Sequence, residues 1–129
     1  MLSFSDLDTY SLVLKVCRRY GVDPSASIES DQFFSDLLNQ YKGPTDKGSI
    51  TTWLTEQIKQ HFVALRYRPR WIQGAEWPFA NGVPMIFAGQ IDLTLKVREK
   101  VTPTLYHDDT SLYVFVAPMV EPVVILQQF

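Results

Sequence analysis

Arg70-Trp71-Ile72-Gln73, then Glu76-Trp77-Pro78, then Met85-Ile86-Phe87-Ala88-Gly89-Gln90-Ile91-Asp92-Leu93 is the stretch at which the apolar pattern of the chain changes period. Before Arg70 apolar residues recur every three or four positions, the spacing of one face of a helix. From Arg70 they tend to alternate, the spacing of a strand with one buried side. Met85, Phe87, Gly89, Ile91 and Leu93 share one face of the strand predicted over residues 85–93, and Ile86, Ala88, Gln90 and Asp92 share the other. Only the first face is uniformly apolar, so it is expected to meet the core. Gly89 within it suggests a bulge or a close backbone approach. Trp71-Ile72-Gln73 reads as a shorter strand. Gly74, Pro78, Asn81, Gly82 and Pro84 make the segment between them an irregular loop.

Upstream, Leu7, Tyr10, Leu14 and Cys17 mark a helix over about residues 6–20, closed by Gly21. A second helix is expected from a Ser30 cap through Phe33, Phe34, Leu37, Leu38 and Tyr41 to Gly43-Pro44. A third is expected over 51–65, carrying Trp53, Leu54, Ile58 and Phe62 and stopped by Pro69. Downstream, Lys96–Val101 alternates weakly, His107-Asp108-Asp109-Thr110 reads as a turn, and residues 112–116 and 123–126 are rich in β-formers. Helices followed by strands with short connections predict one α+β domain. Two or three N-terminal helices (1–66) pack on a C-terminal antiparallel sheet (67–129), with Trp71, Phe87, Ile91, Tyr113, Phe115, Leu54 and Phe62 in a shared core.

The 129 residues suit one domain, and 46% hydrophobic with 20% charged residues is a globular composition. A formal charge of −2 gives no whole-surface attraction to nucleic acid or an anionic membrane. The N-terminus does not read as a signal peptide, and no run approaches the roughly 20 apolar residues of a membrane span, so a cytoplasmic protein is expected. Cys17 is the only cysteine, which excludes an intramolecular disulfide and a cysteine-based zinc site. It lies on the apolar side of the first helix and reads as a small core residue.

Three polar groupings invite chemistry. His107-Asp108-Asp109 contains the residue types of a metal site or acid–base pair, although neighbours on an extended chain point to opposite sides. His61 has no motif partner. Arg66-Tyr67-Arg68-Pro69-Arg70-Trp71 alternates basic and aromatic side chains, as single-strand nucleic-acid binders do, although arginines and aromatics also dominate protein interfaces. The glycines form no phosphate-cradling or dinucleotide motif. Gln73, Glu76, Gln90 and Asp92 could meet a ligand, or satisfy the backbone of a covering loop.

Trp71-Ile72-Gln73, Glu76-x-Pro78, Met85-x-Phe87-x-x-Gln90-Ile91-Asp92 and Asp109 before Leu112-Tyr113-Val114-Phe115 together resemble the YwqG-like family. The pattern, over about residues 69–117, is also similar to the C-terminal domain of the programmed-cell-death-type ribosomal-protein chaperones. The Gly-Gly before the tryptophan and the paired cysteines of many relatives are absent, so no metal-stabilised loop is carried over. The resemblance implies a β-rich scaffold that binds a protein.

The functional expectation is a small non-enzymatic protein-interaction module, of a bacterial accessory or immunity kind, without cofactor or metal. Its surface is expected beside the loop from Gly74 to Pro84, using Arg70, Glu76, Trp77, Phe79, Gln90 and Asp92. Trp77 is expected to pin that loop and Phe79 to be exposed. The alternatives are a hydrolase or metal-dependent enzyme using His107, Asp108 and Asp109, and single-stranded nucleic-acid binding through Arg66, Arg68 and Arg70.

Overall fold

The computed structural model describes residues 2, 4, 6–98 and 105–128, and the side chains of these except 94–98 and 105–108. Three helices precede the strands: α1 (Leu7–Arg18), α2 (Ile28–Asn39) and α3 (Lys47–His61). Each starts on a side chain that accepts from a free amide of the first turn: Asp6 from Asp8, Ser27 from Ser30, and Asp46 from Ser49. Ser27, not Ser30, is therefore the second cap. Ser30 lies inside α2, and its hydroxyl donates to the Asp23 carbonyl at 2.9 Å. The third helix begins four residues before the expected start because Asp46 caps it, through bonds from the Ser49 amide at 2.9 Å and hydroxyl at 2.8 Å. Those bonds hold the Asp46 carboxyl below its ordinary pKa.

The helix also ends earlier than Pro69 would require. After Phe62 the chain runs extended beside the sheet, where Phe87 donates to the Val63 carbonyl at 2.9 Å and Leu65 donates to the Phe87 carbonyl at 3.0 Å. Pairing with a strand edge thus competes with the last turn of α3 and wins.

The strands are β1 (Phe79–Ala80), β2 (Val83–Pro84), β3 (Ile86–Arg98), β4 (Leu105–Val116) and β5 (Val123–Gln128). β1 and β2 form a small antiparallel hairpin around Asn81 and Gly82, whose φ angles of 53° and 76° are the left-handed values a two-residue turn needs. β3, β4 and β5 form an antiparallel sheet in that order. The α+β architecture, with helices in the N-terminal half and an antiparallel sheet in the C-terminal half, is as the change of period implies.

Two expected features of the strands are not found. His107–Thr110 is not a turn: its backbone lies in β4, with His107 opposite Lys96 and Asp109 opposite Thr94. β3 is also one long strand through residues 96–98, because β4 continues to pair with it there.

A further difference concerns the faces of β3. Phe87 pairs with Phe115, but Gly89 pairs with Val114, so Ala88 is an unpaired extra residue. Side chains alternate along a strand, and one inserted residue exchanges the two faces beyond it. Phe87 keeps its place in the core, but Ile91 and Leu93, expected there, are 51% and 44% exposed. Gln90 and Asp92 take the inner face instead. Gly89 does mark the irregularity, as its place in the strand implies.

The core fills the space between the helices and that inner face. Val13, Val16 and Cys17 of α1, Phe34, Leu37 and Leu38 of α2, and Leu54 and Ile58 of α3 meet Phe87, Tyr113 and Phe115 of the sheet. Burial pushes the Cys17 thiol far above its ordinary pKa, so it is inert, as a core residue should be. Phe34 and Phe62 stack at 5.5 Å, and Phe62 meets Trp77 edge-on at 5.4 Å.

Deleting Ala88 should close the bulge with Gly89 still opposite Val114 and Gln90 still opposite Tyr113, so that Gln90 and Asp92 stay on the inner face and Ile91 and Leu93 on the outer. The strap and Ser111 would keep their bonds to Gln90 and Asp92. Urea unfolding is expected to show a loss smaller than about 3 kcal/mol, which is what stranding several of those hydrogen-bonded groups would cause.

Candidate functional site

Trp71-Ile72-Gln73 is not a strand. Residues 70–76 cross the inner face of the sheet as an irregular strap, and side chains from all three strands satisfy its backbone. From β3, Gln90 Oε1 accepts from the Arg70 amide at 2.8 Å and Nε2 donates to the Arg70 carbonyl at 3.1 Å. From β4, the Tyr113 hydroxyl donates to the same carbonyl at 2.9 Å and accepts from the Ile72 amide at 2.9 Å. From β5, Gln127 Oε1 accepts from the Gln73 amide at 2.9 Å, while Nε2 donates to the Gly74 carbonyl at 2.8 Å and Glu76 Oε2 at 2.7 Å. A strap without ladder partners would otherwise leave these groups unpaired near the core.

Asp92 braces the arrangement. Its Oδ1 accepts from Ser111 at 2.6 Å and from Gln90 at 2.7 Å, and its Oδ2 pairs with Arg70 at 3.0 Å. The Ser111 hydroxyl first, then Gln90 and Arg70, hold the Asp92 carboxyl below its ordinary pKa. Trp71 is locked in the strap by stacking on Tyr113 at 4.3 Å and by donating to the Gly21 carbonyl at 2.7 Å.

Of the residues expected to bind a partner, Arg70, Gln90 and Asp92 thus meet in one network, and Glu76 joins it through Gln127. Trp77 is buried and donates to the Met85 carbonyl at 2.8 Å, so it pins the loop. Phe79 is half-buried against Phe33 at 5.8 Å and Phe62 at 5.9 Å, so it is not the exposed aromatic expected. The three arginines of the basic run separate. Arg70 reaches Asp92, and Arg68 turns inward to donate to the Phe62 carbonyl between the rings of Tyr20 and Trp77. Arg66 lines a groove elsewhere, at the edge of β3. They do not form one surface. The side chains of His107 and Asp108 lie outside the described residues. Half-buried His61 contacts Phe33 edge-on at 5.4 Å. Among the described residues, no group of three or more His, Cys, Asp or Glu side chains is placed to hold a metal, and no helix is long and apolar enough to cross a membrane.

Sequence reasoning missed the opposite side of the sheet. Register places Gly89, Ile91 and Leu93 of β3 beside Val114, Leu112 and Thr110 of β4, and Val124 and Leu126 of β5 complete the rows. None of these side chains is charged. Val124 and Leu126 are 57% and 56% exposed, matching Ile91 and Leu93. At its edge is a groove of about 340 Å³ lined by Arg66, Tyr67, Gly89, Ile91 and Val114. A Cβ on Gly89 would meet nothing within 4 Å, so the glycine leaves a notch in the aliphatic surface. Tyr67 closes the strand edge there, its hydroxyl accepting from the Gln90 amide at 3.2 Å and donating to the Gln90 carbonyl at 3.1 Å. The alternation of residues 123–126, all apolar, could not say which side was covered. The bulge hid the outward turn of Ile91 and Leu93.

Comparison with protein-family models, with curated proteins and with solved structures finds no match.

Replacing the buried Gln127 by Leu would remove the partners of the Gln73 amide and the Gly74 carbonyl, which belong to exposed residues of the strap. Urea unfolding is expected to show a loss of roughly 1–3 kcal/mol, the net worth of two hydrogen bonds. Asp92 has a lower pKa in the folded chain than the unfolded value of about 3.9. Its stabilisation is therefore fully present above that value and is lost as pH falls through the folded pKa. Asp92→Asn should flatten the decline of stability below about pH 4, as measured by urea midpoints across a pH series.

Proposed function

We propose that this protein is a non-enzymatic protein-binding module and that its binding surface is the outer face of the β3–β4–β5 sheet. The observation that carries this reading is the extra residue Ala88, which turns Ile91 and Leu93 out beside Val124 and Leu126. Exposed aliphatic side chains in a contiguous, charge-free array leave water unfavourably arranged over them, and such patches on soluble proteins tend to be binding surfaces. The Gly89 notch accepts a projecting side chain of the partner, and Arg66 supplies a polar edge, the centre-and-rim arrangement of interfaces. The strap network is the support. It satisfies the inner face so completely that the sheet stands as a firm platform. The resemblance of residues 69–117 to the YwqG-like family points the same way, through the branch that binds a protein client.

This reading places the surface across the sheet from Arg70, Gln90 and Asp92, which hold the strap, and away from Trp77 and Phe79, which hold the loop. The test compares the wild-type chain with Ile91→Lys/Leu126→Lys and with Gly89→Leu, which fills the notch without a backbone clash. Thermal unfolding should change little, because the altered side chains are exposed or enter open space. Proteins cross-linked to the wild-type sheet in cell extract should be lost from both variants. Retention of every cross-linked protein by the double variant would remove the proposal.

A further inference from the structure

A cleft of about 440 Å³ lies between the end of α1 and the start of the strap. Its walls include Arg18, Arg19 and Arg68, with Asp23 as the carboxylate among them. Three cations and one anion give the lining a formal charge of +2. Asp23 is occupied: its Oδ1 accepts from the Ser25 amide and the Ser25 hydroxyl, both at 2.9 Å. None of the three arginines makes an ion pair among the described residues.

Arg18 and Arg19 are explained in part by their position, since cations at the last turn of a helix offset its negative end. Arg68 is not. It arrives from a distant part of the chain, is half-buried, and is held by the Phe62 carbonyl and the faces of Tyr20 at 5.2 Å and Trp77 at 5.8 Å. Aromatic faces and a carbonyl fix the guanidinium in place without neutralising it. A guanidinium presents five N–H donors in a planar fork, and the bond to Phe62 uses one edge of it. Arg68 lines the same cleft as the exposed Arg18 and Arg19, and charge-assisted hydrogen bonds from arginines are strong donors to an oxyanion.

We infer that this cleft binds a soluble phosphate-bearing small molecule. A phosphate monoester carries close to two negative charges near neutral pH, matching the +2 of the lining, whereas a single carboxylate would leave it half-compensated. Leu14, Val22 and Trp71 line the same cleft and give the ligand's non-phosphate part an apolar wall. Enclosure by walls from two parts of the chain favours a small molecule over a flat anionic membrane. The site is separate from the proposed protein-binding face, so either can fail without the other.

The test uses the full chain at low ionic strength, titrated with inorganic phosphate and inorganic pyrophosphate and followed by amide and indole NMR. The Trp71 indole and the Gly21 and Gly74 amides are expected to shift and saturate in the millimolar range. Arg18→Gln/Arg19→Gln changes exposed side chains, so its melting temperature should hold, while its affinity for pyrophosphate falls at least about tenfold, the weight of one charge-assisted hydrogen bond. Arg66→Gln, in a different groove, should bind as the wild type does. No saturable shift up to about 10 mM would overturn the inference, since binding weaker than that carries no meaningful free energy. So would equal affinity in the double variant, which would mean an adventitious ion only. Cosedimentation with phosphatidylserine vesicles, abolished by the double variant, would assign the cleft to a membrane and overturn the small-molecule reading.

Discussion

The unpaired Ala88 constrains more of this structure than any buried aromatic does. Because side chains alternate along a strand, everything on β3 beyond the bulge is assigned to a side by that one residue. Phe87, before it, packs on Phe115 at 5.2 Å and belongs to the core. Gln90, three residues on, reaches the strap from the same side. With an even ladder Gln90 and Asp92 would face water, and the strap would lie over aliphatic side chains that cannot hydrogen-bond it. The bulge is thus the condition for residues 70–76 to leave the ladder and still keep their polar groups paired.

From that condition the remaining architecture follows in layers. One end of the inner sheet face is apolar, where Phe87 and Phe115 meet the helices. The other end is polar, where Gln90, Tyr113, Ser111 and Gln127 meet the strap. Tyr113 joins the two, its ring stacked on Trp71 and its hydroxyl on the strap backbone. The strap in turn brings Trp71 to Gly21 at the close of α1, so the helical half and the sheet are tied by a hydrogen bond as well as by burial. An unsatisfied group in such a network costs more than a bond made in water gains, which makes the network hard to alter piecemeal.

Much of the fold was legible because it rests on period. Helical spacing before Arg70 and alternation after it give the α+β class, and Cys17, Phe34, Leu54 and Phe62 fall on the faces that the spacing assigns. Leu7, read onto the same stripe as Cys17, is exposed, and Val13 and Val16 are buried beside Cys17 instead. Caps were legible in kind but not always in place: Ser27 and Ser30 are both good candidates, and the choice depends on where Asp23 leaves its carbonyl. The Asn81-Gly82 pair is the common sequence of a two-residue hairpin, and its signal was present though read as part of an irregular loop. His107-Asp108-Asp109 has turn composition, yet β4 pairs through it, since ladder partners override local preference. The faces of β3 were not legible. A bulge costs the sequence no distinctive residue beyond Gly89, and the apolar parity of Phe87, Ile91 and Leu93 reads smoothly across it. The candidate binding face was hidden for the same reason, whereas the gathering of Arg70, Gln90 and Asp92 was partly visible in the pattern from residue 70 to residue 92.

The register of β3 on β4 is the most direct test. Cross-strand backbone NOEs, measured by NMR on the isotopically labelled chain, report which residues lie opposite one another without any substitution. The account predicts Phe87 opposite Phe115, Gly89 opposite Val114 and Gln90 opposite Tyr113, with Ala88 unpaired. NOEs placing Gly89 opposite Tyr113 and Gln90 opposite Leu112 would mean a continuous ladder, with Ile91 and Leu93 facing the core, and would contradict it.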